Sequence, residues 1–372
     1  MLPDPLSRRT LLHAGAATAG LAALASVRIH AAARTTLGPT IIGSGEHTYE
    51  CLHDWAQVPS DIAFGNTHGV GVDAAGNVYI KHTVHASSSS ADALCIFDPA
   101  GKFVRSWGAE YRGGAHGLTI ARDSGGEFLF LADCQSGVVR KTSLTGERVL
   151  DLAWPEESGL YGSKGEYKPT NVAVVPPLPA PSTPSAPSAA KPVTPHALWT
   201  KFTGHIFVAD GYGKNWIHHY SPKGEYLGSF GGPGKERGQV SCPHGIMIDT
   251  RGPEPLIVVA DRSNRRLQLF SLDGRHRGFV SSELRSPCHF DQRGSLLLVP
   301  DLDARVTLLD AENKPVIHLG DGTNFALRDK PRGQFIPGKF IAPHSACFDA
   351  QGNIFVVEWV EVGRVTKLRK IS

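Results

Sequence analysis

The chain has no extended basic segment, because its 38 lysines and arginines are spread along 372 residues and are nearly balanced by 35 aspartates and glutamates. A protein that holds nucleic acid through phosphate contacts usually shows a basic patch or stripe in its sequence. We therefore expect no nucleic-acid partner.

Several sequence motifs are also missing. None of the six cysteines forms a CxxC pair, which argues against a zinc ribbon or a dithiol redox motif and leaves any disulfide pairing open. The glycine-rich stretch Gly231–Gln239 is not followed by a helical pattern, so it predicts no phosphate loop, and no nucleophile elbow is found. The 41 glycines and 26 prolines instead favour many short strands joined by turns.

The first 33 residues have the pattern of an export signal. Arg8 and Arg9 precede an apolar stretch at Ala14–Val27, and Ala31–Ala33 supplies a small-residue cleavage site. Paired arginines in this setting predict the twin-arginine route, hence a periplasmic or secreted protein. The apolar stretch is too short to span a bilayer comfortably, and no other segment reaches that length. An uncleaved N-terminal anchor is the alternative.

The remainder of the chain, residues 34–372, is repetitive. An apolar run, an Asp-x-x-Gly turn and a β-rich run ending in an acidic residue recur about every 40–55 residues. The turns begin at Asp73, Asp123, Asp249, Asp291 and Asp349. We predict one all-β domain, a six-bladed β-propeller, in which a strand near Thr48–Leu52 completes the last blade.

One copy of the repeat is interrupted. Between its first strand, ending near Val175, and its second, beginning near Ile206, the tight turn is replaced by residues 176–195, which are rich in proline, alanine and serine. This composition cannot build a core, so we predict a solvent-exposed insertion within a hairpin.

Histidines recur at one register of the repeat. Alignment on the turn aspartates and on the His-Gly context predicts a ring of His68, His116, Thr170, His244, Ser286 and His344 around the channel. His116, His244 and His344 fall on alternate blades, about 120° apart in a six-bladed propeller. Three histidines with an open fourth position are a catalytic zinc arrangement, although imidazole also suits other metals. The alternative is a set of channel histidines bound to water and carbonyl groups.

Three segments carry a family resemblance: IFVADGYGKNWIHHYSPKG at Ile206–Gly224, GQVSCPHGIMID at Gly238–Asp249 and VVADRSNRRLQLFSLDG at Val258–Gly274. They resemble the NHL-repeat propellers, and among these most of all the lyase domain of the peptidylglycine α-amidating enzymes and its bacterial relatives. The resemblance covers nearly all of residues 34–372. It implies a six-bladed propeller with a channel zinc ion, whose three histidine ligands match His116, His244 and His344.

The resemblance also implies a reaction. The family cleaves a peptidyl-α-hydroxyglycine to a peptide amide and glyoxylate. Its catalytic tyrosine matches Tyr212, and its active-site arginine matches Arg262. In this interpretation zinc holds the substrate hydroxyl, Tyr212 takes the proton with a pKa lowered by nearby positive charge, and Arg262 pairs with the substrate carboxylate.

Some positions depart from the family. A second arginine of the first blade is replaced by the region around Lys81, where His82 stands nearest, so His82, His85 and the ring residue His68 are candidate substrate-binding residues. Ser345 stands in place of an acidic residue that helps to bind structural calcium, which makes a calcium site doubtful.

We therefore predict an exported zinc-dependent lyase acting on a small-molecule or peptide substrate. Two alternatives remain. One is a non-catalytic NHL propeller that binds a protein or a small ligand through a face. The other is a lactonase-type propeller enzyme, which the His/Thr/Ser ring disfavours because such enzymes place acidic and asparagine ligands around calcium.

Overall fold

A computed structural model describes residues 38–123, 125–178, 197–281 and 283–371. The predicted signal peptide at residues 1–33 and most of the predicted insertion at residues 176–195 lie outside these ranges. From Pro39 onward the chain forms one unit. Within the described ranges, no helix is both long and apolar enough to cross a membrane.

The strands form six antiparallel sheets, one for each predicted blade. The chain first forms β1 (Ile41–Ser44) and β2 (His47–Leu52). Blade 1 contains β3 (Thr67–Val72), β4 (Val78–His82), β5 (Leu94–Phe97) and β6 (Phe103–Trp107). Blade 2 contains β7 (Ala115–Asp123), β8 (Gly126–Asp133), β9 (Val138–Ser143) and β10 (Arg148–Leu152). Blade 3 contains β11 (Asn171–Val174), β12 (Ile206–Ala209), β13 (Trp216–Tyr220) and β14 (Tyr226–Gly231).

The second half of the ring repeats the pattern. Blade 4 contains β15 (Pro243–Asp249), β16 (Leu256–Asp261), β17 (Arg266–Ser271) and β18 (His276–Val280). Blade 5 contains β19 (Asp291–Arg293), β20 (Leu296–Asp301), β21 (Arg305–Leu309) and β22 (Pro315–Leu319). Blade 6 contains β23 (Pro343–Phe348), β24 (Ile354–Glu358) and β25 (Arg364–Lys370).

Helical structure is confined to short connections in the described residues. One α-helix, α1 (Ala197–Phe202), precedes β12. The 3-10 turns are Ala109–Tyr111, Glu156–Ser158, Lys164–Glu166, Arg262–Asn264, Phe325–Leu327 and Arg332–Gln334. The all-β prediction is confirmed.

The N-terminal strands close the ring. Strand β2 pairs with β25, with Tyr49 opposite Lys370 and Leu52 opposite Lys367, so the first described strands complete the last blade as predicted. Strand β1 then adds a fifth strand at the outer edge of that sheet, which the repeat pattern did not predict. This pairing joins the first described strands to the last strand, and β3 of blade 1 packs against β23 and β24 of blade 6.

The hydrophobic core is divided into layers between the blades. Alternate residues of each strand face opposite sides of its sheet, so each blade packs on two neighbours. One such layer joins blades 3 and 4 through Phe207 and Ile257, and another joins blades 1 and 6 through Phe97 and Phe355. The first strand of each blade lines the channel, where β3 contacts both β7 and β23.

Candidate metal centre

Four imidazoles meet at the start of the inner strands. His68, His116, His244 and His344 are each at most 8% exposed. The centroids of neighbouring rings lie 4.5–4.9 Å apart. The predicted channel register therefore brings these four side chains together.

Three of the histidines share one hydrogen-bond pattern. Nδ1 lies 2.7 Å from the Thr170 carbonyl oxygen in His116, and 2.9 Å from the Cys288 carbonyl oxygen in His244. His344 repeats the contact at 2.9 Å to the carbonyl oxygen of His68. Because a carbonyl can only accept, each Nδ1 carries the proton and each Nε2 keeps a lone pair. Metal-ligating histidines are usually held in this way.

Burial sets the protonation of these rings. It lowers the pKa of each of the four imidazoles well below its ordinary value, and the positive charge of Arg262 acts in the same direction on all four. The rings are therefore neutral near pH 7, and neutral imidazole is the form that binds a metal.

Two overlapping sets of three among these four histidines are candidate metal ligands. The ligand atoms of His68, His116 and His344 lie within 4.8 Å of one another, a compact group that could hold a metal ion. The set expected from the sequence has His244 in place of His68. His68 differs in its contacts: its Nδ1 lies 3.3 Å from His344 Nε2, and its carbonyl oxygen accepts the bond from His344 Nδ1.

Tyr212 and Arg262 lie beside the histidines. The Tyr212 hydroxyl is 3.2 Å from His116 Nε2 and 3.0 Å from His244 Nε2, and the tyrosine as a whole is 39% exposed. The hydroxyl therefore lies in the histidine cluster while part of the ring faces the mouth of the channel. Arg262 Nη1 approaches the same hydroxyl at 3.5 Å.

The pKa of Tyr212 differs from the sequence expectation. Burial raises the pKa of the phenol, and Arg262 lowers it by a smaller amount. The sequence predicted a lowered pKa for Tyr212, and that prediction is wrong when only the protein groups are counted. The free-energy cost of burying a phenolate is larger than the stabilisation that one guanidinium supplies.

Arg262 has no acidic partner among the described residues. Its Nη2 lies 3.2 Å from Cys242 Sγ, and its Nη1 lies 3.9 Å from Cys288 Sγ. Asp261 pairs with Arg266 instead, at 2.7 Å. A partly buried guanidinium whose side-chain partners are thiols and a phenol can bind an anion.

A buried carboxylate fixes the loop that carries Tyr212. Asp210, at the end of β12, accepts hydrogen bonds from the Tyr161 hydroxyl and from the backbone amides of Lys168 and Lys214, at 2.6–2.7 Å. Gly211 makes the turn possible, because a Cβ there would lie 2.5 Å from the Pro243 carbonyl oxygen. Tyr212 is therefore held against blade 4.

The structure places His82 and His85, two of the candidate substrate-binding residues, away from the four histidines. In blades 2 to 6 an acidic residue stands at the end of the second strand: Asp133, Asp210, Asp261, Asp301 and Glu358. In blade 1 His82 takes that place. Its Nδ1 accepts from the Val84 amide at 3.1 Å, and its Nε2 lies 3.6 Å from Cys95 Sγ. His85 Nδ1 contacts Ser87 Oγ at 2.7 Å. In the described chain, neither ring contacts the four histidines.

Lys81 also turns away from the channel. It is fully buried, and its Nζ donates to the carbonyl oxygens of Gly117 and Ala132 at 3.3 and 2.5 Å. Lys81 therefore ties blade 1 to the inner strand that carries His116. Burial lowers its pKa to about 7.

The ring position predicted at Ser286 belongs to Cys288. Pro287 bridges to Asp301 as Pro243 pairs with Asp261, so the residue after each proline is equivalent. The error arose because Asp291 lies within β19, opposite Leu298, and does not begin the turn. The Pro-Cys dipeptide at 287–288, parallel to the Pro-His dipeptides at 243–244 and 343–344, was the available signal. Sequence reasoning therefore missed a thiol beside Arg262.

The doubtful calcium position also has a different partner. Ser345 Oγ lies 3.2 Å from His289 Nδ1. The side chain at this position thus has a protein partner, and a serine lacks the carboxylate that calcium prefers.

Curated proteins with NHL repeats and amidating enzymes share sequence with this chain. NHL repeat-containing protein 3 from Homo sapiens is 25% identical over 270 residues, covering 69% of this chain and 68% of that protein. Peptidyl-glycine alpha-amidating monooxygenase B from Xenopus laevis is 30% identical over 183 residues, covering 48% of this chain and 17% of that protein. The chain folds as a six-bladed propeller and is similar in sequence to NHL-repeat proteins. No family model matches this propeller.

Further similarities are more local or concern the fold alone. The amidating monooxygenase from Mus musculus is 36% identical over 75 residues, or 19% of this chain and 8% of the enzyme. The propeller thus spans a small part of the amidating enzymes that it matches. A catalytically inactive virginiamycin B lyase from Staphylococcus aureus, solved with quinupristin, has a TM-score of 0.53 at 12% identity over 87% of this chain and all of that one. At this identity the match supports the propeller fold only.

Proposed function

We propose that this propeller is a zinc-dependent lyase that cleaves a peptidyl-α-hydroxyglycine, or a related α-hydroxylated amide, to an amide and glyoxylate. One observation carries the proposal: the Tyr212 hydroxyl lies between two histidine Nε2 atoms and next to the Arg262 guanidinium. A proton-transfer group, a candidate metal centre and an anion receptor thus share one channel mouth.

We propose His116, His244 and His344 as the zinc ligands. Their Nδ1 atoms donate to carbonyl oxygens of the ring residues in blades 3, 5 and 1, which leaves three equivalent Nε2 atoms for a metal. His68 supplies one of those carbonyl groups and is better suited to orient His344. The neutral nitrogen donors fit zinc, which would supply a Lewis acid toward the substrate hydroxyl.

Tyr212 and Arg262 are proposed to carry out the proton transfer of the cleavage step. Cleavage breaks the C–N bond, turns the hydroxyl carbon into the aldehyde of glyoxylate, removes one proton from the hydroxyl and adds one to the amide nitrogen. Tyr212 can take up the first proton and return one to the leaving nitrogen, so the step balances with a single proton-transfer group. The phenolate form needs positive charge nearby, and Arg262 supplies part of it.

Arg262 is proposed to bind the substrate carboxylate. Its five N–H donors match the two oxygens of a carboxylate, and no acidic side chain in the described chain occupies it. The hydroxylated substrate must come from a separate oxygenation reaction. We also propose that the enzyme works after export, as residues 1–33 suggest.

The test is a direct assay. Residues 34–372, purified with zinc, are incubated with N-benzoyl-α-hydroxyglycine, and glyoxylate release is measured. Arg262→Lys should raise KM strongly, while the matched variant Arg266→Lys, whose partner is Asp261, should keep wild-type KM. Folded, zinc-loaded protein that releases no glyoxylate from α-hydroxyglycine substrates would favour the non-catalytic binding propeller instead.

A further inference from the structure

A cavity occupies the channel beyond the histidines. Its volume is about 470 Å³, and all six blades contribute to it. Part of its wall is apolar, formed by Leu118, Ile120, Ile246, Ile248, Phe290 and Phe348, and the rest carries polar and charged side chains that include Arg122 and Arg293. The proposed lyase chemistry uses none of these residues.

One layer of residues lies between the histidines and this cavity. The residue after each ring histidine of blades 2 and 4 is a glycine, and a Cβ at Gly117 or Gly245 would come within 2.4 Å of a backbone oxygen of the neighbouring inner strand. In the same layer, the contact between Ser345 and His289 joins blades 5 and 6. Neighbouring inner strands therefore touch here, and none of the four ring histidines lines the cavity.

Asp291 brings a negative charge to the wall of the cavity. Its carboxylate accepts hydrogen bonds from the backbone amides of Gln292 and Phe348 at 2.8 and 2.7 Å. No cationic side chain of the described residues pairs with it. A partly buried carboxylate with unused lone pairs and no ion-pair partner favours a positively charged ligand.

His289 supplies a second polar side chain in the wall of the cavity. It lies two residues before Asp291, and it also lines the cavity. Its Nδ1 contacts Ser345, whereas its Nε2 has no hydrogen-bond partner within the described ranges. Burial lowers the pKa of His289 to about 4, so the ring is neutral and adds no competing positive charge.

The other polar side chains around the cavity have protein partners. Thr119 donates to the Val172 carbonyl oxygen at 2.7 Å, and Gln292 accepts from the Thr250 amide at 3.0 Å. At the rim, Arg122 pairs with Glu127. Asp291 and His289 are thus the polar groups best placed to receive a ligand.

We propose that this cavity binds a small organic cation, an ammonium group on a compact apolar body, with the ammonium at Asp291 and His289. The volume lies within the range of small-molecule sites, about 300–1,000 Å³. The apolar wall takes the hydrocarbon part, and the carboxylate takes the charge. The site is separate from the proposed zinc centre and does not depend on the lyase activity.

Calorimetric titration of residues 34–372 at pH 7.5 tests this proposal with three matched probes: hexylamine, hexanol and hexanoate. Hexylamine, which is a cation at this pH, should bind at least tenfold more tightly than either of the others. Asp291→Asn should remove that preference, and Met247→Phe, which fills part of the cavity, should weaken binding of hexylamine and hexanol together. His244→Ala, at the other end of the channel, should leave hexylamine binding unchanged.

Several outcomes would overturn the site. Equal binding of the three probes would mean a merely apolar cavity, and unchanged hexylamine affinity in Met247→Phe would mean binding elsewhere. Displacement of hexylamine by micromolar Ca²⁺ would mean a metal site at Asp291. If Asp291→Asn does not fold, the Met247→Phe result and the comparison of the three probes still test whether the cavity binds an organic cation.

Discussion

At the scale of single residues, Tyr212 is the group on which the proposed chemistry depends most. Tyr212→Phe keeps the ring and removes the hydroxyl that contacts His116 and His244. We expect kcat for glyoxylate release to fall about 100-fold or more, with zinc content and unfolding temperature unchanged, because only a proton-transfer group is lost.

Tyr226 provides the matched control for that prediction. Its hydroxyl contacts Ser229 Oγ at 2.7 Å, in the outer strand of blade 3. Tyr226→Phe should keep wild-type kcat. A Tyr212→Phe enzyme with full activity would remove this residue from the mechanism.

Asp291 should make the stability of the protein depend on pH. Burial raises its pKa to about 6 in the folded state, so its favourable contribution is complete at low pH and is lost as the pH rises through 6. Between pH 5 and pH 7 the wild type should lose about 1 kcal/mol of unfolding free energy relative to Asp291→Asn. Urea unfolding of both proteins at the two pH values measures this, and parallel curves would contradict it.

Residue types and spacing predicted much of the candidate site. The resemblance and the repeat register singled out His116, His244, His344, Tyr212 and Arg262, which the structure brings together. The ring position of Cys288 and the burial of His82 were not predicted, because both depend on strand pairing. The bridge between Pro287 and Asp301 identifies Cys288 as the ring residue of blade 5. His82 lies at the end of β4, where its side chain is buried.

At the scale of elements, the acidic residue at the end of the second strand in blades 2 to 6 supports a loop at the channel mouth. Asp210 is the clearest case, with three donors bound. Asp210→Ala should lower the unfolding free energy by about 3 kcal/mol, because it leaves buried donors unpaired. It should also reduce kcat, since the loop carrying Tyr212 loses its anchor.

Glu312→Ala, an exposed change in the turn before β22, is the control and should alter the unfolding free energy by less than about 0.5 kcal/mol. Chemical denaturation followed by tryptophan fluorescence measures both variants. An Asp210→Ala protein as stable as the control would show that these carboxylates do not support the loops.

At the scale of the whole molecule, closure of the ring depends on β2. The repeat period predicted six blades and a strand near Thr48–Leu52 in the last one, and both predictions are confirmed. Strand β1 was not predicted, because its exposed residues Ile41–Ser44 carry no repeat pattern. The insertion was predicted from composition alone, and it stays a prediction because residues 179–196 lie outside the described ranges.

Truncation tests that closure. Removing residues 1–38 should leave cooperative thermal unfolding intact, whereas removing residues 1–53 exposes the edge of β25 and should abolish it or cause aggregation. Calorimetry of the two proteins separates these outcomes. Equal unfolding temperatures would mean that blade 6 is stable without β2.

The most direct test of the central claim is the zinc content per chain, measured by elemental mass spectrometry on the wild type and on two single variants. We expect about one zinc ion in the wild type, loss of zinc in His244→Ala, and zinc retained in His68→Ala. The reverse pattern would make His68, His116 and His344 the ligands. Folded wild-type protein that binds no metal would contradict the zinc lyase altogether.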